Sequence, residues 1–345
     1  MNLPNLANKK LVTAIADSLA VAEVTLAWLA GDGSDRQYYR IFVNNTDDSF
    51  VLMLLSKTDG LKLQTGDYEW ILASNLLRES GIRAPSLVAP LIEHNALIIE
   101  DYGDEMLQDI VNTALAKGDQ NLPNRLYLEA IDLAISIHAQ KRSLGPFWTK
   151  RSFNYDKYIW ELEFFYKQYY EQVSRNKLPT SDESLLKQEF NSLAHYLAPL
   201  STFCVHRDYH SRNLMVHNDS LAVIDFQDLR LGPIAYDVVS LVFDSYVHLP
   251  LSKRLELISV ASNRISEALG KVAGDEFDST WKSVLLQRQI KAIGSFGYLT
   301  IEKQRGNYLK YVKTAVSLLG SIQPLDQRWP ILSGPLLEVI ESNAT

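Results

Sequence analysis

The chain has 345 residues, 46% of them hydrophobic and 22% charged, the composition of a soluble globular protein with room for one large domain or two lobes. Its 41 acidic against 34 basic residues give a formal net charge of −7, which leaves no electrostatic footprint for a nucleic-acid backbone and weighs against a large polyanionic partner. One cysteine, Cys204, excludes an internal disulfide; set in the apolar run Phe203-Cys204-Val205, it reads as a buried core thiol of a cytoplasmic protein.

In chain order, Lys9 to Ala20 predicts an amphipathic helix. Lys9-Lys10 and the apolar run behind them resemble a signal peptide only superficially, because Asp17 and Glu23 interrupt the run, and no segment reaches membrane-spanning length. A strand is expected from Glu23 to Leu29, a polar turn from Gly31 to Arg36, and a second strand from Tyr38 to Val43. Turn formers from Asn44 to Ser49 lead into a third strand, Phe50 to Leu55. Helical spacing runs from Asp67 to Ser80 and stops at Gly81, a residue suited to a left-handed C-cap. Leu87 to Ile92 and Ala96 to Ile99 complete five strands with one inserted helix. Beyond Glu100-Asp101-Tyr102-Gly103 long helical patterns take over: Leu122 to Ala139, Tyr155 to Ser174, Asp182 to Tyr196, Lys253 to Leu269 and Phe277 to Thr300. The expected architecture is α+β with two lobes, a small antiparallel-sheet N-lobe over 1–102 and a larger, mostly helical C-lobe over 103–345.

The chemistry concentrates in His206-Arg207-Asp208-Tyr209-His210-Ser211-Arg212-Asn213, followed by Val223-Ile224-Asp225-Phe226. Asn213 to Val216 reads as a strand, His217 to Ser220 as a turn and Leu221 to Ile224 as the return strand, so Asn213 and Asp225 share the open end of a hairpin. Two oxygen donors side by side suit Mg²⁺, which completes its shell with nucleotide phosphates and water. Asp208, just before them, is placed to accept a hydroxyl proton. Asn or Asp alone near a hairpin is an ordinary turn former; the combination with Asp208 points to phosphoryl transfer. His206, beside an apolar strand, reads as a buried hydrogen-bonding group, and His210 either braces the loop or faces substrate.

These residues carry a resemblance. His206-x-Asp208-x-His210-x-x-Asn213 resembles the catalytic loop of aminoglycoside phosphotransferases. The longer run Val205 to Met215, with Ile224-Asp225-Phe226-Gln227-Asp228 and Gly232-Pro233-Ile234-Ala235-Tyr236-Asp237, is similar to the bacterial cell-wall amino-sugar kinases, which phosphorylate the anomeric hydroxyl of N-acetylmuramate and N-acetylglucosamine. Ser34-Asp35-Arg36-Gln37-Tyr38-Tyr39-Arg40 resembles their nucleotide loop, Leu97 to Asp104 their hinge, and Gln287-Arg288 with Lys291 and Gly294 their C-terminal helix. The resemblance spans about residues 31 to 320. It implies a protein-kinase-like fold using ATP and Mg²⁺, with Asp208 as catalytic base, Asn213 and Asp225 as metal ligands, and adenine bound to the hinge backbone at Glu100 to Tyr102. It also implies that Asp237 caps a helix and braces the loop, while Asp228 is the more exposed candidate for sugar hydroxyls.

The sequence also departs from the family. Only Gly31-x-Gly33 stands where a glycine-rich loop is expected, so Gly33, Ser34 and Asp35 would hold phosphate through backbone N–H groups and the Ser34 hydroxyl, with Arg36 adding charge. The third strand has no lysine. Lys57, at the end of that strand, Arg36 and Arg40 are the candidates to replace it; Lys62 falls in the following loop, and Glu69 is the candidate helix glutamate. On the substrate side the aromatic stretch Tyr155 to Tyr170 is mostly core by its spacing, with Trp160 and Glu161 the first candidates for sugar contact, alongside His210, Arg212 and Asp228. Polycationic aminoglycosides call for an acidic pocket, an N-acetylated sugar is neutral and muramate anionic, and Arg212, Arg230 and Arg288 are expected to favour muramate. The leading expectation is a cytoplasmic kinase of a small amino sugar in cell-wall recycling, with no obligate protein partner evident. The alternatives are an aminoglycoside or small-alcohol kinase of choline or homoserine type, and a nucleotide-binding pseudokinase, the last motivated by the absent lysine.

Overall fold

The structure, a computed structural model, describes residues 8–31, 36–140, 148, 150–322 and 324–344. The chain forms two compact units: Met1–Glu105 with Met215–Gln227, and Met106–Leu214 with Asp228–Thr345. The fold class is α+β, and the two units differ in the same sense as the sequence pattern.

The first unit is built on a five-stranded antiparallel sheet in the order β1-β2-β3-β5-β4, from β1 (Val24–Gly31), β2 (Gln37–Val43), β3 (Ser49–Leu54), β4 (Leu87–Leu91) and β5 (Ala96–Glu100). Period-two alternation sends Tyr39, Ile41 and Val43 inward from β2 while Phe42 stays exposed. Register then lines up Tyr39, Leu52 and Ile98 across three strands, and helix α1 (Asn8–Leu19) closes that row with Leu11 and Ile15. Each large side chain buried in this row contributes about 1.5–3 kcal/mol.

Two helices, not one, separate β3 from β4. Helix α2 (Lys57–Thr65) occupies the stretch expected as loop, so Lys57 opens a helix and Lys62 lies within one. Its signals are local: Ser56 Oγ accepts from Asp59 N at 3.1 Å, and Gly66 ends it in the left-handed conformation at φ 80°. The interior Gly60 disguises it. A Cβ there would fall 2.2 Å from Asn95 Oδ1, so α2 approaches the β4–β5 turn closely and a larger residue would have to push the Asn95 side chain aside. Helix α3 (Glu69–Glu79) follows, and Gly81 takes the expected left-handed conformation at φ 76°.

The hairpin of β7 (Leu214–His217) and β8 (Ser220–Val223) turns on Asn218 and Asp219, both at positive φ, as a two-residue hairpin loop demands. From Met215 onward it belongs to the first unit. Val216 N donates to Glu105 O at 2.7 Å, Val223 N to Arg83 O at 2.9 Å, and Arg83 Nη1 to His217 O at 3.0 Å.

The second unit is helical apart from the antiparallel pair β6 (Phe203–Val205) and β9 (Arg230–Gly232). Its helices are α4 (Leu107–Ala116), α5 (Asn121–His138), α6 (Tyr155–Phe165), α7 (Thr180–Leu197), α8 (Tyr236–Val242), α9 (Leu251–Leu269), α10 (Lys271–Ile301), α11 (Val312–Ser321), α12 (Pro330–Ser333) and α13 (Pro335–Asn343). The 31-residue α10 is the axis on which α6, α8, α9 and α11 pack. Gly294 lets it approach α6 closely and Gly297 the residues just beyond α6, since a Cβ would lie 2.6 Å from Phe165 Cα at the first and 2.4 Å from Gln168 O at the second. The helix expected to run on to Ser174 ends as α-helix at Phe165 and widens into a π turn over Tyr166–Glu171.

Candidate active site

In the second unit the loop from His206 to Asn213 leaves β6 in a conformation that needs support. Arg207 sits at φ 83°, a region non-glycine residues avoid. Asp237, buried in the first turn of α8, supplies that support by accepting from His206 N at 2.7 Å and Arg207 N at 3.1 Å. His138 Nε2 lies 3.3 Å from the same carboxylate. Further along, Tyr209 OH donates to Ala130 O at 2.6 Å, and Asp244 accepts from Ser211 N at 2.9 Å, from Ser211 Oγ, and from Tyr246 N at 2.7 Å. His206 and Tyr209 are buried, and their rings meet edge to face.

Asp208 is thereby presented beside three cations. Lys291 Nζ, from α10, donates to its Oδ1 at 2.9 Å, and Arg207 Nη1 lies 3.5 Å from its Oδ2. Burial pushes the carboxyl upward, but Lys291, Arg207 and Arg288 together hold it well below the usual carboxylate range, so it is ionised at neutral pH. Asn213 Nδ2 donates to Asp208 O at 2.9 Å. Burial and the positive field of Arg288 lower His210 to about 3, which keeps the ring neutral, and it packs edge to face on Tyr246. Asp208, His210, Tyr246, Arg288, Lys291 and Phe296 all line one cavity of about 200 Å³ within this unit.

The other sequence candidates of this unit are distributed unevenly. Arg212 stacks on Tyr246 and Tyr308, 5.0 and 5.7 Å from their ring centres. Asp228 is committed to arginines, at 2.6 Å from Arg207, 2.9 Å from Arg151 and 3.2 Å from Arg230. Trp160 is exposed, with Lys157 Nζ 3.9 Å above its ring and Phe164 stacked beside it. Its neighbour Glu161 is fully buried: it accepts from Gln287 Nε2 at 2.9 Å and faces Lys157 at 3.7 Å and Arg207 at 3.9 Å. The pattern that put Trp160 and Glu161 together in sequence thus points one outward and the other into the core.

In the first unit Asp225 follows β8 at φ 61°, a left-handed conformation aspartate tolerates, and accepts from Gln227 Nε2 at 2.7 Å. Gly33, Ser34 and Asp35 lie outside the described residues. Arg36 pairs with Asp59 at 3.2 Å. Arg40 grips Asp101 with two nitrogens, at 2.6 and 3.2 Å, and reaches Asp104 at 2.8 Å, so its charge is already answered. Lys57 is exposed at the start of α2. Lys62 instead forms the ion pair with Glu69, at 2.5 Å. Glu100 accepts from Ser86 Oγ at 3.0 Å and Arg78 Nη1 at 3.2 Å, while Tyr102 is buried with its hydroxyl donating to Ala84 O at 3.3 Å.

The group to which sequence reasoning gave no role is Lys291. It stands 83 residues from Asp208, beyond any local pattern, although its i,i+3 spacing from Arg288 puts both cations on one face of α10.

The profile of the phosphotransferase enzyme family matches residues 26–259. The N-acetylmuramate/N-acetylglucosamine kinase of Pseudomonas aeruginosa is 26% identical over 304 residues, covering 84% of this chain and 82% of that one. Among solved structures, choline kinase from Cryptosporidium parvum superposes with a TM-score of 0.58 at 12% identity, over 91% of this chain and 97% of that chain. Amicoumacin kinase in complex with AMP-PNP and Ca²⁺ does so with a TM-score of 0.56 at 14% identity, over 98% and 94%. These two likenesses establish the kinase-like fold, and with the profile match over most of its length the chain belongs to the phosphotransferase enzyme family.

Proposed function

We propose that this phosphotransferase is an ATP-dependent, Mg²⁺-assisted kinase of amino sugars, which phosphorylates the anomeric hydroxyl of N-acetylmuramate or N-acetylglucosamine to a sugar 1-phosphate in cell-wall recycling. The observation that carries it is Asp208. Its carboxylate is held ionised on a pinned loop, with Oδ1 taken by Lys291. Among the described residues Oδ2 accepts no hydrogen bond, which leaves it to orient the acceptor hydroxyl and take its proton as the oxygen attacks phosphorus. The amino-sugar assignment is supported by the relative named for those two sugars, alike over most of both chains.

The residues present suit the cofactors. With Nδ2 of Asn213 donating to the Asp208 carbonyl, the amide turns its oxygen away from that carbonyl, and Asp225 contributes a carboxylate; both are the hard donors that Mg²⁺ takes. When bound, the cation neutralises charge on the β- and γ-phosphates. Lys62, braced by Glu69, is our choice for the cation that meets the nucleotide phosphates in place of a strand lysine. Gly33, Ser34, Asp35 and Arg36 and the backbone from Glu100 to Tyr102 complete the nucleotide side of the proposal, and Trp160, His210 and Arg212 the sugar side. Among the described residues no helix is long and apolar enough to cross a membrane. The proposal includes a cytoplasmic location, which the ATP requirement of the proposed reaction supports.

ADP release measured with ATP and Mg²⁺ across N-acetylmuramate, N-acetylglucosamine, kanamycin, choline and homoserine tests the substrate. Turnover of the two amino sugars to 1-phosphates is expected, and activity confined to another member replaces the substrate. Asp208→Asn should lower turnover by about 10²–10⁴-fold with ATP affinity retained; unchanged turnover would remove Asp208 from the mechanism.

A further inference from the structure

The second unit holds a largely buried guanidinium beside Asp208 whose terminal nitrogens open onto the cavity. Arg288, on α10, is 8% exposed and lines the cavity. Its Nε donates to Ser240 Oγ at 3.0 Å, which fixes the plane of the guanidinium. Among the described residues its two Nη groups meet no acceptor.

The carboxylates near it are already engaged. Asp208 is ion-paired with Lys291 and flanked by Arg207. Asp244 accepts from Ser211 and Tyr246 and is faced by Arg254. Lys291 therefore neutralises Asp208, and Arg288 is left without a counter-ion of its own. A guanidinium held in one plane with both terminal nitrogens open is the geometry that takes a carboxylate through two parallel hydrogen bonds. Phe296 and Leu299 from the same helix and the ring of Tyr246 give the cavity an apolar stretch of wall, beside the polar Ser245, Gln289 and Ser295. Such a wall suits a short hydrocarbon spacer between the sugar and the anion.

We propose that Arg288 is a specificity-determining residue that receives the carboxylate of an acidic amino sugar, one that carries its acid on a short side chain. This rests on the reading of the chain as an amino-sugar kinase and adds to it a preference between two acceptors differing by that side chain. Lys291, by contrast, serves Asp208.

The test compares kcat/KM for N-acetylmuramate and N-acetylglucosamine, at saturating ATP and Mg²⁺, in the wild type, Arg288→Met and Arg288→Lys. The ratio of the two values is the readout, because a general loss of folding or of phosphoryl transfer lowers both sugars together and leaves it unmoved. Removing a charge-assisted pair should reduce the ratio about 10- to 100-fold in the Met variant. The Lys variant, a point charge without the fork, should fall between. A ratio within about twofold of wild type in Arg288→Met, with both sugars still turned over, overturns the carboxylate subsite and leaves the kinase reading standing. A wild type silent on both sugars overturns the amino-sugar reading and the subsite with it.

Discussion

Asp208 owes its state to side chains far from it in the chain. Lys291 and Arg288 come from one face of α10, and Arg207, next to it in sequence, is turned back by a positive φ that Asp237 stabilises through two backbone N–H groups. A non-glycine residue in that region costs on the order of 1–3 kcal/mol, a strain characteristic of functional loops. The same cluster perturbs Lys157. Burial lowers its ammonium to about 8, with Arg207 and Arg230 acting in the same direction and Glu161 opposing them. An unfolded lysine keeps its proton to about pH 10.4, so between the two values the unfolded state binds more protons. The stability linked to neutral Lys157 is therefore complete above the unfolded pKa and is lost as pH falls toward 8. A pH titration of ¹³C-dimethylated lysines followed by NMR should show one signal with its midpoint near 8. That signal should be absent from Lys157→Arg; a midpoint in the ordinary lysine range would contradict the buried placement.

The element with the least freedom is α10. It carries Arg288 and Lys291 and packs on α6 so closely that Gly294 has no room for a methyl group. Gly294→Ala should lower stability in urea unfolding by about 1–3 kcal/mol through overpacking. Gly320→Ala in α11, where nothing lies within 4 Å of the added Cβ, should leave stability unchanged or slightly raised. Equal effects at the two sites would show that the α6–α10 approach is not tight. α2 marks the limit of reading elements from pattern: the stretch was expected as loop, its interior Gly60 argues against a helix, and the caps at Ser56 and Gly66 and the packing of Gly60 on Asn95 emerge only in the structure.

For the whole molecule, the division of the chain is not a single cut. Residues 215–227 return to the first unit, where Val216 and Val223 donate to Glu105 and Arg83. A fragment ending at residue 105 leaves those carbonyls unpaired and the hairpin's apolar side missing. It should unfold in urea with a broad, early transition. A chimera that joins 1–105 to 215–227 through a short linker should unfold more sharply and at higher denaturant; identical transitions would mean that the hairpin contributes nothing to that unit.

The sequence alone determined the strands of the sheet, the long helices and the loop carrying Asp208, because each depends on residues within a few positions of one another: period-two alternation, 3.6-residue spacing, turn formers between apolar runs. The family resemblance added the expectation that Asp237 braces the loop, which its bonds to His206 N and Arg207 N match. Only the tertiary structure decided that Glu161 is buried while Trp160 faces outward, that Asp228 is occupied by three arginines, that Lys62 rather than Lys57 pairs with Glu69, and that Lys291 and Arg288 stand over Asp208. The direction a side chain faces and the charge that answers it are set by packing between segments tens of residues apart, and one-dimensional spacing does not encode those distances.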